Sequence, residues 1–393
     1  MLEIIREPYG IIHKDPSPIK DVYGGTTGMI WVECMRIRPV SSQKSDSVIV
    51  FSHPIGGGSF LPLVTALAKA GHHIIYCNPR YRGNDTALIM EKCVLDLDAC
   101  IKDAKKKFGY SKIILGGWSG GGSLALFYQE QAEKPSITHT PAGDAFDLVD
   151  AKLVPADAVL LLAAHISRAV TLTEWLDPSI LDENKPFERD VHLNIYDANC
   201  PHQPPYDPTF VATFRAAQIA RNQRITDWAK SQLAAIKVSD SPRRELCFCV
   251  QGTMADVRWT DPTQDPSDRR PYTCYMGDPK VANDGPVGLA RFTNLRSWLS
   301  QWSYSESNAN GLKNAQNISC PVLVINNTAD LACTPSHAQR LYDAVASVDK
   351  QKIDIQEADH YYIERRDLLV IAVMAISNWL AERQLGHPLK KKA

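Results

Sequence analysis

The chain has 393 residues, with 43 Lys and Arg against 44 Asp and Glu, a formal charge of −1, and 44% hydrophobic and 22% charged residues. That balance reads as a soluble globular protein with no single-sign field, so nucleic acid and membrane are excluded as expected partners. At about 150 residues per domain, the length allows two or three units, or one large domain with an insertion.

The first residues, Met1 to Glu7, are mixed and charged, and no apolar run approaches the roughly 20 residues that cross a bilayer. The expectation is a cytoplasmic chain with neither secretory signal nor span. The basic run Lys390-Lys391-Lys392 reads as a solvated end. Ten cysteines are spread along the chain without a CxxC pair or a Cys/His ligand spacing. Cys247 and Cys249 would share one face of a strand. Free thiols in a reducing compartment, and no metal, are the expectation.

In chain order, Ser47 to Phe51 reads as a buried strand, Phe60 to Ala70 as a helix and His73 to Cys77 as a second strand. Met90 to Phe108 is a helical pattern, with apolar Val94, Leu97, Cys100, Ile101 and Ala104 on one side. Lys112 to Leu115 is a strand, Gly121 to Ala132 a helix, and Asp157 to Leu162 a strand. Strands alternating with helices predict βαβ units and a mainly parallel sheet. From about His165 the chain turns Pro-rich and Asp-rich. A long helix is predicted over Pro208 to Ile236, a loop over Asp256 to Asp268, and a helix over Val287 to Trp302. The α/β pattern resumes with strands at Pro321 to Ile325 and Lys352 to Ile355, and helices at Ser336 to Ala346 and Asp367 to Arg383. The core is therefore split into 1–165 and 318–393, with an insertion at 166–317.

The sharpest chemical signal is Gly117-Trp118-Ser119-Gly120-Gly121, set between a strand and a helix. A serine on so tight a turn needs small neighbours, and the following helix start aims N–H groups toward its oxygen. The competing reading is a Gly-rich loop that closes a βα turn or cradles a phosphate. A serine nucleophile needs a base, itself oriented by an acid. The best base is His360, after the strand Lys352 to Ile355. The best acid is Asp330, just past the strand ending at Ile325. All three lie at the carboxyl edge of the sheet, where open α/β sheets put their ligands. Asp330 as a helix cap, and His360 as a surface histidine, remain open. Asp354, Asp359, His165 and His337 are weaker rivals for the acid and base roles.

These elements resemble the α/β-hydrolase-fold serine hydrolases. The elbow at Ser119, the order Ser119, Asp330, His360, the motif His53-Pro54-Ile55-Gly56-Gly57-Gly58, and Asn78-Pro-Arg-Tyr-Arg82-Gly83 carry the resemblance. It covers roughly 47–165 and 318–385. It implies a mainly parallel central sheet flanked by helices, with a mostly helical or irregular cap inserted between core strands at 166–317. It also implies an oxyanion hole from Gly120 together with Ile55 or Gly56. The choice stays open because Pro54 stands where the family often has glycine. Trp118, His165 and Tyr361 are the expected substrate contacts. The cap's aromatics and arginines, among them Arg243, Arg244, Arg258, Trp259 and Tyr275, fit either a substrate with an aromatic or acidic part or, the preferred reading for any single residue, a solvated cap surface with its aromatics packed against the core.

The expected reaction is hydrolysis of a carboxylic ester or lactone of a small or medium organic molecule. A thioesterase, a carbon–carbon bond hydrolase and a non-catalytic ligand receptor stay open, since one fold serves many reactions. A carboxylate-nucleophile epoxide hydrolase is disfavoured by serine at the elbow. No cofactor motif is present: the glycines of His53 to Ser59 do not form GxGxxG. A homo-oligomer is compatible with the sequence.

Overall fold

The computed structural model describes residues 2–17, 19–22, 27–41, 44–239, 244–286 and 288–386. Arg243, Val287 and Lys390 to Lys392 lie outside the described residues. Among the described residues, ten short runs form strands. They are β1 (Ile4–Lys14), β2 (Met29–Pro39), β3 (Ser47–Ser52), β4 (Ile74–Asn78), β5 (Lys112–Ser119), β6 (Ala158–Ala164), β7 (Cys247–Cys249), β8 (Phe292–Asn294), β9 (Val322–Asn327) and β10 (Lys350–Ile355). The helices are α1 (Pro62–Lys69), α2 (Met90–Phe108), α3 (Gly121–Glu133), α4 (Arg168–Glu174), α5 (Pro208–Val238), α6 (Val257–Thr260), α7 (Pro279–Asp284), α8 (Leu295–Ser297), α9 (Gly311–Asn314), α10 (Pro335–Ala344) and α11 (Arg366–Glu382).

The main sheet runs β1-β2-β4-β3-β5-β6-β9-β10. The β1–β2 and β2–β4 pairs are antiparallel, and all other neighbours are parallel. From β3 the chain first crosses to β4 on one side, then returns across β3 to β5 on the other. The reversal opens a crevice at the carboxyl ends of β3 and β5, the standard place for a ligand in such sheets.

Period-two alternation feeds two core layers. On β5, Ile113 and Leu115 join Leu97, Ile101 and Leu124 on the face covered by α2 and α3. Ile114 points the other way, to Leu67, Ile376 and Trp379 of α1 and α11. Helix α2 buries Met90, Cys93, Val94, Leu97, Cys100, Ile101 and Ala104, and ends where Gly109 turns left-handed. Cys34, Cys77 and Cys100 meet inside this layer, fully buried. All ten cysteines are free thiols.

Between β6 and β9, no described segment joins the main sheet. Helix α5 starts at Pro208, capped by Asp207, and runs for 31 residues, about 46 Å. The helix predicted over 287–302 is replaced by β8, α8 and a π turn at Trp298–Trp302. Phe292 to Asn294 pairs instead with β7, and the Asn294 side chain accepts the Ser297 N–H at 2.8 Å, which restarts the helix there. The loop predicted over 256–268 contains the short α6, because the Asp256 carboxylate caps it. The hairpin β1–β2 is an addition to the predicted elements. None of the described helices is long and apolar enough to cross a membrane.

Candidate active site

Ser119 is the last residue of β5 and takes a left-handed backbone angle, φ 53°. A non-glycine residue there is strained by about 1 kcal/mol or more, so its surroundings must hold it. Two glycines make the turn possible. A Cβ on Gly117 would stand 2.8 Å from Gly122 Cα, and one on Gly121 would stand 2.2 Å from the Ser52 carbonyl oxygen. The start of α3 thus lies directly against the end of β3. The β5–β6 register also shifts between Trp118 and Ser119, which lifts the serine out of the ladder.

Asp330 follows β9 and is fully buried. Its Oδ1 accepts the N–H groups of Ala332 and Cys333 at 2.7 and 2.9 Å. Its Oδ2 meets His360 Nδ1, from the loop after β10, at 2.6 Å. An ionised carboxylate only accepts, so Nδ1 carries the hydrogen and the neutral ring keeps Nε2 as its basic atom. The rival acids are engaged elsewhere. Asp354 binds Lys352 and Asn326, and Asp359 accepts the Tyr361 N–H. His337 binds Glu174 at 2.8 Å.

Trp118 holds the base from the serine's side. Its Nε1–H donates to the His360 carbonyl at 3.3 Å, and its ring centre lies 4.5 Å from the His360 ring and 5.2 Å from Tyr361. Cys333 is the group that the sequence reading missed. Its thiol lies 3.4 Å from His165 Nδ1. It also stands within 4.8 Å of the nearest polar atoms of Asp330 and His360. Among the described residues, no hydrogen bond joins Ser119 to His360. Its position three residues beyond Asp330 on one tight loop was the available signal. Burial and the Asp330 charge push this thiol up, away from its reactive thiolate form.

His53 and His165 complete the ring around the serine. Burial, reinforced by the Arg168 cation, pushes His53 down to about 3. Burial also drives His165 well below the ordinary histidine range. Both rings are therefore neutral at pH 7. His53 Nδ1 accepts the Ile55 N–H at 3.3 Å, and its carbonyl accepts the Gly56 N–H at 2.7 Å. Of the two alternative donors expected from this loop, Gly56 is thus spent on a turn, while Ile55 holds only a long contact. The Gly120 end of the elbow faces the His53 Nε2 edge, which a Cβ on Gly120 would approach to 2.8 Å.

The segment between β6 and β9 grips the acid's loop. The Arg258 guanidinium binds Asp256 and Glu174, and reaches Thr334 Oγ1 at 3.1 Å. Trp259 Nε1–H donates to the Leu331 carbonyl at 3.1 Å. Burial opposes the charge on Glu174, but Arg258 and His337 outweigh it and hold this carboxyl well below its usual range. An aromatic wall continues from the serine side: His165 to Trp175 at 5.7 Å, Trp175 to Tyr275 at 5.2 Å, and Trp175 to Trp259 at 5.5 Å.

No protein-family model matches the sequence, and no relative is found among curated proteins. Solved structures do match. A hypothetical protein from Pseudomonas aeruginosa superposes with a TM-score of 0.50 at 12% identity, over 96% of this chain and 94% of that one. The likeness in fold, the sheet order and the serine turn after β5 agree. The chain has the α/β-hydrolase fold. Est1E of Butyrivibrio proteoclasticus aligns with a TM-score of 0.48 at 11% identity, over 96% of this chain and 98% of that one. The esterase domain of a Rhodothermus marinus protein aligns with 0.46 at 12%, over 96% and 98%. Within the α/β-hydrolase fold, β5 is the strand before the elbow, and β9 and β10 lead to Asp330 and His360.

Proposed function

We propose that this chain is a serine hydrolase that cleaves a carboxylic ester or lactone of a small or medium organic molecule. The contact that carries the reading is His360 Nδ1 on Asp330 Oδ2 at 2.6 Å, beside a serine on a left-handed turn. Ser119 Oγ attacks the carbonyl carbon while His360 Nε2 takes the hydroxyl proton. Asp330 holds the ring and stabilises the imidazolium. The C–O bond then breaks, and His360 returns the proton to the leaving alcohol. Water attacks the acyl-serine in turn, with His360 again as base, to release the acid. The Gly120 N–H, with that of Ile55, faces the charge that develops on the carbonyl oxygen.

Before attack, the Ser119 hydroxyl must turn toward His360. Such loose geometry before substrate binds is usual for catalytic hydrogen bonds. Residues 166–317 act as the cap. Its grip on the loop of Asp330 through Arg258 and Trp259, and its aromatic wall beside His165, support that role. The ten free thiols suit a reducing, cytoplasmic setting.

The test uses 4-nitrophenyl esters with wild type and Ser119→Ala. Wild type should turn over and bind a fluorophosphonate covalently at Ser119. Ser119→Ala should lose about a thousandfold or more in rate while unfolding at the same temperature. Equal rates in the two proteins, or labelling elsewhere, overturn the reading.

A further inference from the structure

Most buried arginines in this molecule are matched by carboxylates, and Arg269 is held instead by the Asp265, Arg258 and Gln264 carbonyls and the Ser267 hydroxyl. Arg80 meets Asp96 and Asp15, Arg168 meets Asp85, Arg221 meets Glu183, Arg258 meets Asp256 and Glu174, and Arg296 meets Asp144 and Glu245. Among the described residues, Arg291 has neither a carboxylate nor a full set of hydrogen-bond partners. It is 2% exposed, and among the described residues no carboxylate lies within ion-pair distance of it. Only its Nη2 is used, on Thr253 Oγ1 at 2.7 Å and on the carbonyls of Ala282 and Asn283 at 3.4 Å. Nε and Nη1 are buried without a partner among the described residues. A guanidinium has five N–H donors, so three of them stay unpaired. Burying a charge that way costs several kcal/mol unless an anion or water meets it. Burial lowers the pKa of Arg291 and outweighs the opposing influence of Cys249, Asp284 and Tyr275.

A second orphan lies within electrostatic reach of it. The Tyr275 hydroxyl is also buried with no hydrogen-bond partner. Tyr275 lies within electrostatic reach of Arg168, Tyr361 and Arg291. It is also the far end of the aromatic wall that starts at His165, two ring contacts away at 5.7 and 5.2 Å. Two unpartnered donors, one of them cationic, therefore lie within electrostatic reach of each other, and one of them ends an aromatic lining that begins next to Ser119.

We infer that Arg291 and Tyr275 form an anion subsite, and that the substrate carries a carboxylate group separated from the scissile carbonyl by an apolar or aromatic spacer. This specificity rests on the hydrolase reading above, whereas the subsite itself does not. The carboxylate accepts from Nε–H or Nη1–H of Arg291 and from the Tyr275 hydroxyl. The spacer lies along Trp175. A neutral analogue leaves the cation buried and unpaired, which is how such a site discriminates.

Binding is tested apart from turnover. Ser119→Ala protein is titrated by calorimetry with 3-phenylpropanoate and with its neutral amide. The carboxylate should bind at least tenfold tighter. Adding Arg291→Gln or, separately, Tyr275→Phe should erase most of that difference, and Arg291→Lys should restore part of it. Equal affinity for acid and amide overturns the subsite, as does a preference that survives both substitutions. In parallel, wild type is assayed on the 4-nitrophenyl monoester of glutaric acid and on 4-nitrophenyl pentanoate. A tenfold higher kcat/KM for the anionic ester, lost in Arg291→Gln as the two esters converge, supports the specificity. No preference between the two esters overturns it. Charge-selective binding without turnover of either ester would sink the hydrolase reading and leave the subsite standing.

Discussion

The central sheet and the segment over it are held by different forces. In the sheet, strands β3 to β6 and β9 bury aliphatic side chains on both faces, and Leu160, Leu161, Val322 and Leu323 are completely enclosed. Stability there comes from apolar area and close packing, so side-chain volume is what counts. The 166–317 segment buries charge as well. Arg221, Asp256, Arg258 and Asn283 are all inside it, and each is satisfied by named partners. Networks of this kind add little net stability, but breaking one partner leaves an exposed debt. The difference teaches where each kind of information lies. The sheet positions the reactive atoms, and the charged segment fixes the loop and lining around them.

The largest test separates chemistry from folding at their meeting point. Asp330→Asn keeps the shape of the side chain but removes the charge that orients His360. On the proposed mechanism, kcat should fall about ten-thousand-fold because the ring is held in the wrong tautomer. The melting temperature should move by only a few degrees. A hundredfold loss or less, measured on a 4-nitrophenyl ester, would show that the carboxylate merely braces its loop through Ala332 and Cys333.

The same division governs what the sequence discloses. Aliphatic runs bounded by turn residues read directly as β3 to β6, β9 and β10, and Met90 to Phe108 reads as one helix to the residue. The sheet edge was harder. On β2, Ile30, Val32, Cys34 and Ile37 are buried among Arg and Glu, and on β1 Pro8 breaks the strand signal. Ser119, Asp330 and His360 could be picked out because each follows a strand whose end the pattern marks. The Asp330–His360 contact unites two such loops across the sequence. Cys333, Tyr275 and Arg291 lack any such marker. Their importance lies in which partners they have or lack, and partners appear only after long-range folding. The stretch 287–302 shows the same limit: a helical pattern gives way where three residues pair with β7.

A smaller effect sharpens the comparison in energetic terms. Leu161→Met in the sheet nearly conserves volume and should cost under about 1.5 kcal/mol. Leu161→Ala should cost about 3 kcal/mol. Arg258→Met is also close in size, yet it strands Asp256 and Glu174 and should cost about 3 kcal/mol. Urea midpoints at constant m-value measure all three. If Arg258→Met is as mild as Leu161→Met, charge does not organise the segment.

The smallest effect lies at the seam, in a neutral histidine. An unfolded chain protonates His53 near 6.5, whereas the folded protein resists until about 3. Between those values the unfolded state holds more protons, so stability falls as pH falls through that window and levels off below it. His53→Asn keeps an acceptor for the Ile55 N–H but does not titrate. From pH 7 to pH 5, wild type should therefore lose about 2 kcal/mol more than His53→Asn. The comparison is best made by urea unfolding in a Ser119→Ala background, where turnover plays no part. His165 is also held neutral by burial, so a residual acid loss in the variant is expected. Equal losses in the two proteins would mean that His53 is charged when folded. The ring facing the elbow would then be a cation, and Nδ1 would no longer accept from Ile55.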